Sequence, residues 1–184
     1  MIMAENFLTI LNLFNSTKES RGVIRLHLHE GAMLYRYALQ IKEGNILEIG
    51  RAYGGSTVLL TVATHNTKTR IVSIDLKDIM RTKHFFKDYT EKGRVDIRID
   101  NSWEMKNIPI SMLWVDGDHS YDGIKKDFTH HWNYLDGPCL AHDYTCPRCP
   151  GVTKFINEWV EKGYAKVLEQ QQTMIALKKV KNYE

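Results

Sequence analysis

Short apolar runs alternate along this chain with stretches of helical periodicity, and this alternation restricts the fold more than any other feature. Five runs have the length and the β-branched composition of strands. They lie at residues 46–49, 71–74, 95–99, 112–115 and 139–141. Because helical patterns separate them, we expect βαβ units and a parallel sheet that is covered by helices on both faces.

Apolar residues recur with the i, i+3, i+4, i+7 spacing of a helix within residues 34–41, 124–135 and 152–160. The run at 95–99 instead alternates apolar with charged residues, which predicts a half-exposed strand at the sheet edge. Two last apolar runs, at 165–168 and 174–177, are separated by the polar residues 169–172. That separation is too short for a helix and predicts an antiparallel hairpin. We therefore expect two helices, five βα units and this hairpin.

The length of 184 residues is typical of one domain with a full core. We expect a single domain over 1–184, with N-terminal helices over 1–43 and the core over 44–184. No apolar run approaches the ~18 residues of a membrane span, and residues 1–14 are typical of an amphipathic helix rather than a signal peptide.

Three cysteines crowded into one stretch favour reduced thiols and a cytoplasmic location. The net charge of +3 is too small to indicate a nucleic-acid partner.

A glycine-containing turn, Glu-Ile-Gly-Arg-Ala-Tyr-Gly-Gly-Ser-Thr, follows the first predicted strand at residues 48–57. Its spacing is neither G-x-G-x-x-G nor that of a P-loop. The helix that begins near Ser56 offers free amide groups to a carboxylate, while Glu48 suits an ammonium group. The turn therefore favours a zwitterionic amino-acid ligand, with ordinary turn glycines as the alternative.

Polar residues also follow the next two predicted strands. Asp75 lies 25 residues after Gly50, a separation that suits a ribose diol, although an aspartate also serves as a helix N-cap. Residues 100–103, Asp-Asn-Ser-Trp, could receive the edge and face of an adenine or cap a following helix.

Ionisable residues crowd the ends of the fourth and fifth predicted strands. Asp116, Asp118 and His119 follow one strand, and His142 and Asp143 follow the other. Asp116, His142 and Asp143 could converge on one divalent cation, Mg²⁺ or, because of the histidine, Mn²⁺ or Fe²⁺. His119 has an ordinary pKa near 6.5 and could act as a general base. Helix capping and backbone hydrogen bonds are the structural alternative.

Three segments carry a resemblance to a known family. Residues 47–50 with Gly54 and Ser56, the run 115–121, and residues 141–144 followed by Gly151 resemble class I S-adenosylmethionine-dependent methyltransferases. More narrowly, the chain is similar to the small O-methyltransferases related to the catechol and caffeoyl-CoA enzymes and to the macrocin and cephalosporin-biosynthesis proteins. The resemblance implies a Rossmann-like three-layer αβα sandwich. Its seven-stranded sheet would be mostly parallel, with an antiparallel last strand.

The resemblance also implies functional positions. Glu48 would lie near the methionine amino group, Ser56 near its carboxylate and Asp75 on the ribose. The cofactor-binding residues predicted in this way are Glu48, Gly50, Ala52, Tyr53, Gly54, Ser56, Asp75, Leu76, Asp100, Ser102, Trp103, Asp116, Asp118 and His119. In metal-dependent members a divalent cation binds the substrate, and the matching positions are Asp116, His142 and Asp143. His119 falls where catechol-type enzymes carry a catalytic lysine, so His119 and Asp116 are the predicted catalytic residues.

The expected function is O-methylation of a small-molecule hydroxyl with S-adenosylmethionine, assisted by Mg²⁺ or another divalent cation. The chain departs from the family pattern at two positions, because Ala52 replaces a glycine of the general motif and His142 replaces the more usual acid. We expect no nucleic-acid or membrane partner. The apolar residues Phe7, Leu11 and Phe14 could pack on a second copy and form a homodimer.

Three alternatives stay open at this point. The same fold could bind S-adenosylmethionine without methyl transfer, or act as a metal-dependent lyase or hydroxylase. Four donors, Cys139, His142, Cys146 and Cys149, could form a zinc module, or the last two cysteines a redox pair, although loop thiols are the simpler interpretation. A nucleic-acid site could use Lys178, Lys179 and Lys181 with Trp103, Trp114, Trp132 and Trp159, although a solvated basic end and core tryptophans are favoured.

Overall fold

The computed structural model describes residues 23–184, apart from the side chains of residues 84–86. Its helices are α1 (Leu28–Leu39), α2 (Gly55–Thr64), α3 (Lys83–Glu91), α4 (Tyr121–His131) and α5 (Pro150–Glu161). Its strands are β1 (Glu43–Ile49), β2 (Lys68–Asp75), β3 (Val95–Ile99), β4 (Met112–Val115), β5 (Pro138–Ala141), β6 (Ala165–Gln171) and β7 (Met174–Lys179). The helix predicted over residues 1–14, with Phe7, Leu11 and Phe14, lies outside the described residues.

The seven strands form one sheet in the order β3-β2-β1-β4-β5-β7-β6. Neighbours from β3 to β5 pair in parallel. The last strand, β7, runs antiparallel to both β5 and β6. The mostly parallel sheet, its reversed last strand and the position of β3 at the edge are therefore confirmed.

Helices cover both faces of the sheet, as the alternation of β1 requires. Leu47 and Ile49 join the core cluster that contains the apolar faces of α4 and α5. Ile46 joins the opposite cluster, which contains those of α1 and α2. The molecule is thus a Rossmann-like three-layer αβα sandwich. Within residues 23–184, no helix is both long enough and apolar enough to cross a membrane.

Two details differ from the expectations. Residues 100–111 between β3 and β4 form turns and irregular backbone, so a helix follows four of the five parallel strands and not all five. Pro109 cannot donate a helical hydrogen bond, and this short segment must return from the sheet edge to its centre. In the hairpin, Glu169–Gln171 belong to β6, and the turn is Gln172–Thr173, with Gln172 at φ 52.

Tryptophans contribute to the core rather than to an exposed surface. Trp114 and Trp132 are fully buried, and Trp159 is nearly so. The Trp132 ring stacks on Phe128, with ring centroids 5.5 Å apart. Three of the four tryptophans are therefore not available to stack on nucleic-acid bases, which removes the main support for that alternative.

Candidate active site

A cavity of about 520 Å³ opens at the carboxyl ends of the parallel strands, where open α/β sheets bind ligands. Most of the predicted site residues line it, namely Gly50, Ala52, Asp75, Leu76, Asp100, Ser102, Trp103, Asp116, Asp118, His119, His142 and Asp143. The lining also includes Asn101, from the segment predicted to receive an adenine, and Arg25, Lys77 and Asp127, which no sequence pattern indicated. The topology thus brings together side chains that are separated by more than 90 residues in the sequence.

Backbone hydrogen bonds hold the ends of these strands side by side. The N–H of Gly50 donates to the carbonyl of Ile74 at 2.9 Å, and that of Asp116 donates to Ile49 at 2.8 Å. The N–H of His142 donates in the same way to the last residue of β4, at 3.0 Å. Because the register continues one residue beyond each strand, the functional side chains begin at a common level of the sheet.

The turn after β1 requires a glycine at its first position. Gly50 has φ 83, and a Cβ there would lie 2.1 Å from the carbonyl oxygen of Asp116. Asp75 fixes the rest of the turn, because its Oδ2 accepts from the N–H groups of Arg51 (3.0 Å) and Ala52 (2.9 Å). Asp75 also lines the cavity, so its predicted ribose contact would be made by an already oriented carboxylate.

Glu48 lies behind this turn, outside the cavity lining, together with Tyr53, Gly54 and Ser56. Strand alternation directs its side chain toward α2, where Oε1 accepts from Ser56 Oγ at 2.5 Å and Oε2 from Thr57 Oγ1 at 2.6 Å. Burial raises the pKa of Glu48, and these hydrogen bonds oppose the rise. Glu48 thus stabilises the first turn of α2, and its contact with a ligand ammonium group stays a prediction.

Ser102 connects the loop after β3 to buried ionisable groups of α4. Its hydroxyl donates to Asp127, and its carbonyl lies 3.0 Å from His131 Nε2. Burial raises the pKa of Asp127 to about 6 and lowers that of His131 to about 4. Asp127 was not among the predicted site residues, although it is a charged residue on the apolar face marked by Ile124 and Phe128.

The remaining residues of this loop are free of any capping role. No helix within residues 23–184 begins between β3 and β4, so the capping alternative for Asp100–Trp103 is wrong. Asp100 Oδ1 accepts from the N–H of Asn101 at 2.8 Å. The Lys126 ammonium lies 4.9 Å from the centroid of the Trp103 ring. An aromatic face and polar edges therefore lie together at this end of the cavity.

His142 lies at the centre of a cluster of carboxylates. Its Nδ1 is 3.3 Å from Asp116 Oδ1 and 3.5 Å from Asp143 Oδ2, and its Nε2 is 3.3 Å from Glu30 Oε2. Burial opposes a charge on this imidazole, but hydrogen bonds to the three carboxylates outweigh it and raise the pKa of His142. The donor atoms of Asp116, His142 and Asp143 lie within 4.8 Å of one another. The predicted trio is therefore assembled, and its mixed donors suit Mn²⁺ or Fe²⁺ better than Mg²⁺.

Glu30, in the first turn of α1, contacts this cluster through His142. The carboxylate is fully buried, and Oε1 accepts from Thr173 N (2.9 Å) and Thr173 Oγ1 (2.7 Å). Burial opposes ionisation, but hydrogen bonds from His142 and Thr173 lower the pKa of Glu30 to about 2. The sequence analysis did not assign Glu30 a role, because its partner lies 143 residues away in the β6–β7 turn.

His119 faces the same carboxylates from the loop before α4. Its Nε2 lies 3.6 Å from Asp116 Oδ1, and its Nδ1 lies 3.2 Å from Asp143 Oδ2. The hydrogen bond to Asp116 raises the pKa of His119, and partial burial opposes the rise. The side chain is 44% exposed. His119 is thus accessible from the cavity. It lies beside Asp116 and Asp143, two of the predicted cation ligands.

One family model, described as a methyltransferase domain, matches residues 47–144, more than half of the chain. The chain belongs to this methyltransferase family. The match confirms the assignment to the class I S-adenosylmethionine-dependent methyltransferases that the motifs indicated. No curated protein sequence is significantly similar to this methyltransferase.

Solved structures share the fold at low sequence identity. A methyltransferase from Podospora anserina with bound S-adenosylhomocysteine is 17% identical, with a TM-score of 0.68 over 97% of this chain and 88% of its own. An S-adenosylmethionine-dependent O-methyltransferase from Thermotoga maritima is 15% identical, with a TM-score of 0.66 over 97% and 72%. An rRNA methylase from Streptococcus thermophilus is 12% identical, with a TM-score of 0.59 over 81% and 95%.

The cysteines of this methyltransferase do not form the four-donor zinc module that was an alternative to simple loop thiols. Cys139 is fully buried in β5, in the core cluster of α4 and α5. His142 instead contacts the carboxylates, and among the described residues no metal-compatible group contains Cys139. Cys146 and Cys149 lie at the start of α5, where the Cys149 sulfur is 3.4 Å from His119 Nδ1. All three thiols are free.

Proposed function

We propose that this methyltransferase transfers the methyl group of S-adenosylmethionine to a hydroxyl group of a small molecule, with assistance from a divalent cation. The observation that carries the proposal is that one cavity contains both sets of predicted residues. The residues after β2 and β3, which suit a nucleoside, line the same cavity as the ionisable cluster after β4 and β5. The O-methyltransferase from Thermotoga and the Podospora methyltransferase with bound S-adenosylhomocysteine, which share the fold, support it by analogy.

The residues of the cavity fit an adenosyl cofactor chemically. Asp75 offers a carboxylate that the backbone amides of Arg51, Ala52 and Lys77 hold in place, and a carboxylate at this position suits a ribose diol. Trp103 offers a ring for the adenine, and the adjacent Asp127 offers a buried acceptor. The turn at Gly50 lets the backbone approach the ligand closely.

The reacting groups would meet at the opposite end of the cavity. Bound S-adenosylmethionine supplies an electrophilic methyl group on a sulfonium. Asp116, His142 and Asp143 would hold the cation, which lowers the pKa of an acceptor hydroxyl. His119, exposed beside them, would accept the hydroxyl proton. Positioning of donor and acceptor within one cavity would supply most of the rate enhancement.

A small-molecule acceptor fits the surface better than a nucleic acid. The chain has a net charge of +3, and three of its four tryptophans are buried. Recognition of nucleic acid depends on extended basic surfaces and stacking aromatic side chains. Because an rRNA methylase has the same fold, an RNA acceptor belongs in the activity screen. A cytoplasmic location, consistent with three free thiols, and a homodimer complete the proposal.

The proposal is tested by methyl transfer from radiolabelled S-adenosylmethionine to a panel of sugars, phenols, natural-product cores and an RNA. We expect transfer to a hydroxyl compound, and we expect a chelator to abolish it and added Mn²⁺ or Mg²⁺ to restore it. His119→Ala should lower turnover by about 100-fold or more and spare cofactor binding, since a general base contributes ~10²–10⁴-fold.

His29→Ala, at an exposed histidine of α1, is the matched control and should keep full activity. Full activity in His119→Ala would contradict the assigned base. Transfer that resists chelation would contradict the assigned cation, and transfer to RNA alone would contradict the acceptor class.

A further inference from the structure

Four side chains, from the loop before α4 and the segment between β5 and α5, form a ring of metal-binding donors that shares only Asp143 with the predicted trio. His119 Nδ1 lies 3.4 Å from Cys149 Sγ and 3.2 Å from Asp143 Oδ2. Cys146 completes the ring, because its side chain interacts with those of both Cys149 and Asp143. The donor atoms of His119, Asp143 and Cys149 all lie within 4.8 Å of one another, and Cys146 joins them through Asp143 and Cys149.

The local backbone is built to place these groups together. Asp143 adopts φ 61, and two successive turns follow, in which Cys146 N donates to Asp143 O (3.1 Å) and Cys149 N to Cys146 O (3.0 Å). The C-x2-C spacing that results is one that zinc sites use. Cys149 is then the N-cap of α5, with a proline as the first helical residue.

Gly151 brings this turn against His119. A Cβ at Gly151 would lie 2.4 Å from the backbone nitrogen of Tyr121 and 3.1 Å from the carbonyl oxygen of His119. The start of α5 can approach the α4 loop so closely only because residue 151 has no side chain. The sulfur–imidazole contact is thus a consequence of how the two helices pack.

The donor set selects a soft divalent ion. Thiolate and imidazole bind Zn²⁺ with tetrahedral geometry, whereas Mg²⁺ requires oxygen ligands. The four donors comprise two sulfurs, one nitrogen and one oxygen. The trio of Asp116, His142 and Asp143 contains no sulfur and shares only Asp143 with the ring.

We propose that Cys146, Cys149, His119 and Asp143 form a Zn²⁺ site on the wall of the active-site cavity. If His119 is the general base proposed above, an imidazole that binds Zn²⁺ can no longer accept the hydroxyl proton. Zn²⁺ at this site would therefore inhibit methyl transfer, a consequence that rests on the proposed function. The metal site itself rests on the ring of donors and not on the proposed activity.

Cobalt absorption tests the site without any methyl acceptor. The protein is reduced, freed of metal with a chelator, and titrated with Co²⁺. We expect one equivalent to produce a near-ultraviolet thiolate-to-cobalt charge-transfer band, which one equivalent of Zn²⁺ abolishes. Cys149→Ser should eliminate or strongly reduce the band, and Cys146→Ser should weaken it.

Two variants separate this site from other possibilities. Cys139→Ala changes the cysteine that lies outside the ring, and Asp116→Asn disables the predicted trio; both should keep the band. His119→Ala should weaken Zn²⁺ affinity by roughly tenfold or more, since even outer-shell changes cost ~10–100-fold. Absence of the band in the wild-type protein, or its persistence when Cys146 and Cys149 are both serine, would overturn the proposal. Loss of methyl transfer in Asp116→Asn with the band retained would concern only the proposed function, because Asp116 is not part of the proposed Zn²⁺ site.

Discussion

Several buried ionisable residues near the cavity have strongly shifted pKa values. The surroundings of each residue explain whether its pKa is raised or lowered. Asp127 and His131 are both almost completely buried in α4, and burial disfavours the charged form of each. Glu30 is equally buried, yet its hydrogen bonds to His142 and Thr173 keep it ionised. Neighbouring polar partners, rather than burial alone, therefore decide which buried acid holds its proton.

Asp127 is expected to make stability depend on pH. Its pKa is about 6 in the folded protein and near 3.8 when unperturbed, so the folded state binds the proton more tightly. Its contribution to stability therefore rises as the pH falls from 7 to 5, by about 1 kcal/mol. The free energy of unfolding of wild type and of Asp127→Asn is measured in urea at pH 7 and at pH 5. Relative to the variant, the wild type should be more stable at pH 5 than at pH 7 by this amount. The control Asp122→Asn, at an exposed acid of α4, should show no shift.

At the level of elements, the close approach of β1 and β4 creates the floor of the cavity. Ile49 and Val115 are paired in the sheet, and the Gly50 turn passes directly over the Asp116 carbonyl. The loop after β4 and the turn after β1 are therefore in direct contact. A side chain at Gly50 would force apart the two strand ends that carry the predicted cofactor-binding and cation-binding residues.

Gly50→Ala is expected to destabilise the fold more than backbone strain alone explains. Gly93 provides the matched control, because it also has a left-handed φ, +65, but a Cβ there meets nothing within 4 Å. Gly93→Ala should cost ~1–2 kcal/mol, the ordinary penalty of a left-handed residue. Gly50→Ala should cost about 1–3 kcal/mol more, the penalty of overpacking. Equal unfolding free energies for the two variants would show that β1 and β4 tolerate the added methyl group.

At the scale of the whole molecule, the sequence contained most of the architecture. Apolar runs predicted all seven strands because buried strands of a parallel sheet need continuous apolar residues. The alternation of residues 95–99 located the edge strand, and the short polar separation located the hairpin. Helical periodicity did not reveal that the β3–β4 connection is irregular, because this segment is ordered by the sheet around it.

The site was predictable to the extent that it lies at strand ends. Asp75, Asp116, His119 and Asp143 could be found because topology places the carboxyl ends of parallel strands together. Asp127 lies on a helix face, where one acid among apolar residues is easily overlooked. Glu30 and the sulfur–imidazole contact depend on pairings across the whole fold, which no local pattern encodes. Glu48 accepts hydrogen bonds from the hydroxyls of α2, which the sequence did not indicate, and its contact with a ligand ammonium group stays a prediction.

Calorimetric titration of S-adenosylmethionine into the ligand-free protein tests the central claim most directly. We predict saturable one-to-one binding. Leu76→Ala should weaken it, because this 60% exposed leucine lines the cavity, whereas Leu168→Ala, at a 47% exposed leucine of β6, should leave the affinity unchanged. Folded protein that binds no S-adenosylmethionine, or that binds it with the same affinity in the Leu76→Ala variant, would contradict the proposed cofactor site.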